Sequence, residues 1–176
     1  MKRTATAALL LVSLFAAPAF AALKPGDAAP DFTAQATLGG NEFTFSLAEA
    51  LKKGPVVLYF FPKAFTKGCT AEAREFAEAT AQFTAAGATL IGMSADDIGT
   101  LHKFSTQECS SKFPVAGDPG LNVIKAFDAV MEGRNLSDRV SYVIGRDGKV
   151  VYAYSDRNPD KHVENTLAAV KALAKN

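Results

Sequence analysis

Two apolar runs, Val56 to Phe61 and Ala88 to Met93, stand on either side of a single helical pattern, and they constrain the fold most. Each has the length and continuity of a strand buried on both faces. Between them Ala73, Phe76, Thr80 and Phe83 recur at helical spacing, and Gly87 stops the helix. Two buried strands joined by a helix form a parallel pair with a right-handed crossover. The sheet that contains them then needs helices on both faces to cover it.

Other elements build outward from that pair. After an extended lead-in from Leu23 to Pro30, residues 32–38 and 42–46 flank Gly39-Gly40-Asn41, a hairpin signal in which Phe43 and Phe45 alternate with Thr44. Ser46 can cap a short helix that runs to Lys53 and ends at Gly54-Pro55. Ser94-Ala95-Asp96-Asp97 supplies a turn and a cap, with Asp96 and Asp97 read as capping residues, for a helix from Ile98 to about Ser110. A short extended piece follows at Phe113 to Ala116, then a helical segment around Leu121 to Phe127. Asp147-Gly148 predicts a second hairpin between Val140–Ile144 and Lys149–Tyr154. Asn158-Pro159 opens a last helix with Val163, Leu167, Val170 and Leu173 on one face. The expected class is α/β: a mixed central sheet with helices on both faces, resembling the thioredoxin fold with an added N-terminal β-hairpin.

The first residues follow a different pattern. Lys2 and Arg3 precede an apolar run from Ala7 to Ala17, and Ala19-Phe20-Ala21 offers a small-x-small cleavage site. Residues 1–21 therefore read as a cleavable signal peptide, leaving 22–176 as a single domain in an exported, periplasmic compartment. The run falls short of the ~20 residues a membrane span needs, so no membrane association is expected after removal. Cleavage leaves 17 basic against 18 acidic residues, and this near-neutral balance without basic clusters excludes nucleic acid as a partner. The two cysteines have no zinc-type spacing, and neither a metal nor another cofactor is expected.

Cys69 stands where the first buried strand gives way to the helix, in Phe61-Pro62-Lys63-Ala64-Phe65-Thr66-Lys67-Gly68-Cys69-Thr70-Ala71-Glu72. First-turn N–H groups and the helix dipole favour an anion there, and a thiol at such a place is biased toward the nucleophilic thiolate. The competing reading of a lone cysteine is a small buried hydrophobe. Thr66 lies within reach of the sulfur or of an oxygen bound beside it. Gly68 allows close backbone approach and unusual dihedrals, and Pro62 stiffens the loop. Glu72 suits the helix start and can position a basic partner, and Phe65 can wall the pocket. His102 and His162 belong to no visible motif and read as surface residues.

Pro62-x3-Thr66-x2-Cys69-x2-Glu72 resembles the active-site motif of the peroxiredoxins. Tyr59 to Ala64, Gly68-Cys69-Thr70 and Glu72-Ala73-Arg74 are similar to the bacterioferritin-comigratory, or Q-type, branch, as are Pro30-Asp31-Phe32, Gly92-Met93-Ser94, Phe113-Pro114 and the late run Arg139 to Ile144. The resemblance implies a thiol-dependent peroxidase acting on hydrogen peroxide and organic hydroperoxides. Cys69 would be the peroxidatic nucleophile, with Thr66 and the Cys69 N–H binding the peroxide oxygens. Arg139 would stabilise the thiolate and the charge on the leaving oxygen. The branch often carries a resolving cysteine five residues after the nucleophile, but Arg74 stands there. Cys109 is then the candidate for resolution by an intramolecular disulfide, since some members carry a resolving cysteine in the corresponding helix. The resemblance further implies a thioredoxin-like protein as reductant, and a monomer. The alternatives are a disulfide exchanger, which wants a second cysteine within Cys69-Thr70-Ala71-Glu72, and a non-catalytic binding module that keeps the fold alone.

Overall fold

A computed structural model describes residues 22–175, so the segment read as a signal peptide lies outside the described residues. The chain runs β1 (Thr33–Leu38), β2 (Asn41–Ser46), α1 (Leu47–Lys53), β3 (Val56–Phe60), α2 (Lys67–Ala85), β4 (Thr89–Ser94), α3 (Ile98–Gln107), β5 (Val115–Gly117), α4 (Asn122–Ala126), β6 (Val140–Ile144), β7 (Val150–Ser155) and α5 (His162–Leu173). The seven strands form one sheet in the order β2-β1-β5-β4-β3-β6-β7. β3 pairs parallel with β4, as the two apolar runs require, and antiparallel with β6.

Alternation along β3 divides the interior in two. Val56, Leu58 and Phe60 join residues of α1 and α4, such as Leu47, Ala50 and Ile124, in one core. Val57, Tyr59 and Phe61 point the other way, among residues of α2, α3 and α5 such as Phe76, Phe83, Phe104 and Val170. Because successive side chains of a strand face opposite sides, an unbroken apolar run is what a strand covered on both faces needs. Both cysteines lie in the second core. The tight hairpin between β1 and β2 pairs Leu38 with Asn41 across Gly39 and Gly40, both at positive φ, a turn that glycine makes without steric cost.

Several local expectations are corrected. Helix α2 begins at Lys67, two residues before Cys69, and puts Cys69 in its first turn. Helix α3 stops at Gln107, which leaves Cys109 beyond its end rather than inside it. Of the two β2 phenylalanines, Phe45 packs on Phe32, whereas Phe43, nearer the hairpin tip of an edge strand, stays 39% exposed. A 3-10 turn, Pro159–Lys161, precedes α5. His162 then enters the interior rather than the surface, because α5 contacts α2 on one side and β6 and β7 on another. His102 is exposed, as expected.

Candidate active site

The C-terminal ends of parallel strands are where open α/β sheets place their sites, and the polar side chains here gather at that edge. The loop carrying Cys69 leaves the end of β3. Ser94 ends β4 and Asp96 follows it, and β6 runs antiparallel with Val140 opposite Phe60. That register brings Arg139, one residue before β6, level with the Cys69 loop. The loop is anchored from both neighbours. Phe61 N–H donates to the Met93 carbonyl at 3.0 Å, and the Ser137 hydroxyl donates to the Phe61 carbonyl at 2.6 Å. Asp96 accepts from the Ala64 N–H at 2.8 Å and from the Ser94 hydroxyl at 2.9 Å. Asp96 is therefore a strut for the loop and not a helix cap. Asp97 is the cap of α3, accepting from the Thr100 N–H.

Thr66 is the cap residue of α2 by its backbone angles, and its hydroxyl donates to the Lys63 carbonyl at 2.9 Å. Its lone pairs remain open to solvent. Cys69 is the third residue of the helix, and its N–H is one of the first-turn donors that no helix can satisfy internally. Only 1% of Cys69 is exposed. Gly68 has ordinary backbone angles, which corrects one expected reason for it. Its other role holds: a Cβ there would lie 3.2 Å from Arg139 Nη2, so glycine leaves room for the guanidinium. The unusual dihedral belongs to Phe65, at φ 64, whose exposed ring stands edge-on to Phe104 beside the loop. For a bulky aromatic this conformation is strained.

Arg139 joins these parts. Although an arginine is by default a solvated surface residue, this one is 4% exposed. Nη2 donates toward Cys69 Sγ at 3.5 Å, Nε donates to the Arg157 carbonyl at 3.0 Å, and Nη1 makes a close ion pair with Glu72 Oε2. The rigid guanidinium fork allows one side chain to serve three acceptors at once. Burial opposes the charge on Arg139, but Glu72 and Cys69 outweigh it and raise the guanidinium above its ordinary value. Burial lifts the Glu72 carboxyl above the usual carboxylate range, with Arg139 opposing. Glu72 of α2 is thus the carboxylate that Arg139 pairs with. Pro62, half-buried, opens the loop.

Cys109 is fully buried and free, among apolar neighbours at the far end of α3. Burial, reinforced by Glu108, pushes its thiol well above the ordinary thiol range. Ser110 and Ser111 follow at φ 51 and 56, two successive left-handed residues on the surface. Arg74, at the position where a second cysteine is common, grips Glu108 Oε2 with Nε and Nη2, each at 2.8 Å. Sequence reasoning missed Ser94, Asp96, Ser137, Ser141 and His162. The signal available for the first two was their place at the end of a buried parallel strand and just beyond it. Among the described residues no group of three or more His, Cys, Asp or Glu side chains is placed to hold a metal ion.

Comparison with known proteins is consistent with this geometry. Residues 25–153 match the AhpC/TSA family. The chain is 35% identical over 150 residues to chloroplastic peroxiredoxin Q of Oryza sativa subsp. japonica, covering 84% of this chain and 67% of the relative. It is 33% identical over 156 residues to the corresponding protein of Populus jackii, covering 88% and 71%. The crystal structure of peroxidoxin BcpB from Mycobacterium tuberculosis superposes with a TM-score of 0.77 at 30% identity, covering 86% of this chain and 98% of that one. AhpC of the same organism, at 21% identity and a TM-score of 0.76, shares the fold. The chain belongs to the AhpC/TSA family and, within it, to the peroxiredoxins of the Q type, which are thiol-dependent peroxidases.

Proposed function

We propose that this peroxidase reduces hydrogen peroxide and organic hydroperoxides at Cys69, and that Cys109 resolves the product as an intramolecular disulfide. One observation carries the reading: a single buried guanidinium touches the sulfur and is held there by Glu72. The Cys69 thiolate attacks one peroxide oxygen, an S–O bond forms as the O–O bond breaks, and the second oxygen leaves as an alkoxide or hydroxide that takes a proton. Negative charge moves from sulfur to the leaving oxygen during this step. Arg139 is a fixed cation in a dry site, where such charge is stabilised most effectively. The Thr66 hydroxyl and the Cys69 N–H are the polar groups at the helix start available to orient the two oxygens.

Resolution requires Cys109 to leave its apolar seat and reach the Cys69 sulfenic acid, releasing water as the S–S bond forms. Both thiols lie in the same core. Tyr59 shares that core, and its hydroxyl is pushed up by burial first and then by charge at Cys109, Glu72 and Cys69. The strained Ser110-Ser111 pair provides a segment able to relax as the loop moves. A thioredoxin-like dithiol protein then reduces the disulfide. The composition of residues 1–21 supports export to the periplasm, and the resemblance to the Q-type branch supports a monomer. N-terminal sequencing and sedimentation of the native protein check both.

The deciding experiment is peroxide consumption with a dithiol by the wild type, Cys69→Ser and Cys109→Ser, with non-reducing peptide mapping. Cys69→Ser should abolish turnover. Peroxide should link Cys69 to Cys109 in the wild type and leave sulfenic or sulfinic Cys69 in Cys109→Ser. Turnover by Cys69→Ser overturns the reading. A wild type that yields only oxidised Cys69 overturns the resolving step.

A further inference from the structure

Behind the Arg139–Glu72 pair lies a second polar layer that the peroxide chemistry does not use. His162, the first residue of α5, has no exposed surface. Its Nε2 is 2.8 Å from the Asp156 carbonyl, and its Nδ1 is 2.8 Å from the Ser141 hydroxyl. A carbonyl can only accept, so Nε2 carries the hydrogen. In the neutral ring Nδ1 is therefore the acceptor, and Ser141 donates to it. The same Nδ1 faces Glu72 Oε1 at 3.7 Å, beyond hydrogen-bond range. Oε1 is buried and, among the described residues, has no hydrogen-bond partner, although Oε2 of the same carboxyl is paired with Arg139. A partnerless carboxylate oxygen beside the electron-rich Nδ1 is unfavourable in a dry interior. One proton on that oxygen removes the conflict, with the Ser141 hydroxyl sharing the Nδ1 lone pair or turning away from it.

We propose that His162 is a positioning residue of the peroxidase site, and that its Nδ1 and Glu72 Oε1 form a buried seat for one exchangeable proton. The occupancy of this seat follows the charge on Cys69. Charge balance gives the direction. With Cys69 as thiolate, Arg139 and Glu72 ionised and His162 neutral, the cluster carries one net negative charge in a low-dielectric interior. A proton in the seat cancels it. Once the sulfur becomes a neutral sulfenic acid or disulfide, the cluster balances without that proton and the seat empties. Peroxide cleavage consumes one proton per turnover at the leaving oxygen, so uptake and release match in count.

The surroundings fit this assignment. Burial pushes His162 down to about 4, the Asp156 carbonyl opposes and Arg139 adds to the fall, while burial raises Glu72. The proton therefore sits on Glu72 and points at His162. Besides Arg139, the groups that act directly on the pair are Glu75 of α2, which reinforces the rise at Glu72, and Asp156 after β7, which opposes the fall at His162; Glu78 and Asp160 act in turn on Glu75. Tyr154 of β7 has its ring 4.8 Å from the imidazole, and Lys161 and Glu164 at the start of α5 pair with each other on the surface.

The inference rests on Cys69 being the ionised peroxidatic thiol, and it is tested apart from turnover. The chain has 2 histidines, so His102→Gln leaves His162 as the sole imidazole. Its ring nitrogen shifts can be followed by 15N NMR from pH 5 to 9, in reduced protein and in the same protein with Cys69→Ser. The midpoint sensed at Nδ1 should lie about one unit higher with the thiolate present, a tenfold change in proton affinity, because the coupling is reciprocal. Coincident curves, or no titration in either form, overturn the proposal. His162→Gln adds a kinetic arm, since glutamine can accept from Ser141 and donate to the Asp156 carbonyl but cannot ionise. If His162 only fills space, this variant keeps the wild-type pH profile of the second-order peroxide rate. A proton seat predicts that the ionisation held at Glu72 shifts in that profile and that the variant runs roughly three- to tenfold slower at pH 7. Cys69→Ser retaining peroxidase activity would instead indict the assignment of Cys69.

Discussion

Cys69 and Cys109 are the same residue type, equally buried, in the same core, and everything that separates them is charge and position along a helix. Cys69 occupies the first turn of α2, where backbone dipoles favour an anion, with the Arg139 guanidinium at 3.5 Å. Cys109 lies past the C-terminal end of α3, where the dipole favours a cation, beside Glu108 and, among the described residues, without a cation paired to its sulfur. Depth therefore does not make a reactive thiol here. One sulfur faces a cation where it sits, and in the proposed cycle the other becomes a nucleophile only after it moves. That division suits a two-thiol cycle, because a resolving thiol that stays protonated in its seat cannot compete for peroxide.

The sharpest way to break the contrast is to remove the cation. Arg139→Met should lower the second-order rate of peroxide reduction by about 100- to 1000-fold, the scale of losing one preorganised charge-stabilising donor. It also strands Glu72 as a buried unpaired charge, which alone threatens folding. The double variant Arg139→Met/Glu72→Gln leaves no buried carboxylate unpaired and should be as slow while folding normally. Arg139→Lys keeps the charge but cannot reach Sγ, Glu72 and the Arg157 carbonyl together, so an intermediate loss is expected. Stopped-flow or competition kinetics decide it. A double variant with near wild-type rate would show that the helix start suffices.

How far the sequence revealed this site depends on whether a residue's role is local. Val56 to Phe61, Ala88 to Met93 and the two glycine-marked hairpins carry their own pattern, and the sheet follows from them. The placement of Cys69, Thr66 and Glu72 is local too, within one loop and one helical turn. Arg139 could be singled out only by family resemblance, because its burial depends on the β3–β6 register that sets Val140 opposite Phe60. His162 failed for the same reason: on a helical wheel it is one polar residue, and only the contact of α5 with both α2 and the sheet buries it. Asp96 looked like a cap because caps and loop struts use the same side chain at a strand end. The apolar pattern from Ile98 extends a helix over Cys109, but α3 ends at Gln107 and the chain turns through Ser110 and Ser111, a conformation that no residue type there announces.

A smaller effect tests the other half of the contrast. Burial holds the proton on Cys109 beyond the ordinary thiol range, whereas the unfolded chain releases it from about pH 8.5 upward. The unfolded state then binds fewer protons than the folded one, so stability falls as pH rises, by about 1.4 kcal/mol per pH unit from this group. Tyr59 and Tyr142 are also raised and add to the loss only above pH 10. Urea denaturation of reduced protein between pH 8.5 and 10 should therefore show a slope that Cys109→Ala reduces by one proton's worth. An unchanged slope would mean that Cys109 already ionises in its seat.

The smallest effect concerns what keeps that seat closed. Arg74 and Glu108 lie on α2 and just past α3, and their pairing ties the segment bearing Cys109 to the helix bearing Cys69. The arginine is largely exposed, so the clasp contributes no more than about 1 kcal/mol and weakens with salt. Arg74→Ala should open the segment more often and speed disulfide formation after a peroxide pulse by a factor of up to about five, the ratio that such an energy sets. The peroxide step itself should be unchanged, because Arg74 does not touch Cys69 or Arg139. Raising ionic strength should quicken the wild type toward the variant and leave the variant where it is. If the variant forms its disulfide no faster at low salt, opening is limited by the burial of Cys109 itself, and the left-handed Ser110-Ser111 turn becomes the element that sets the rate.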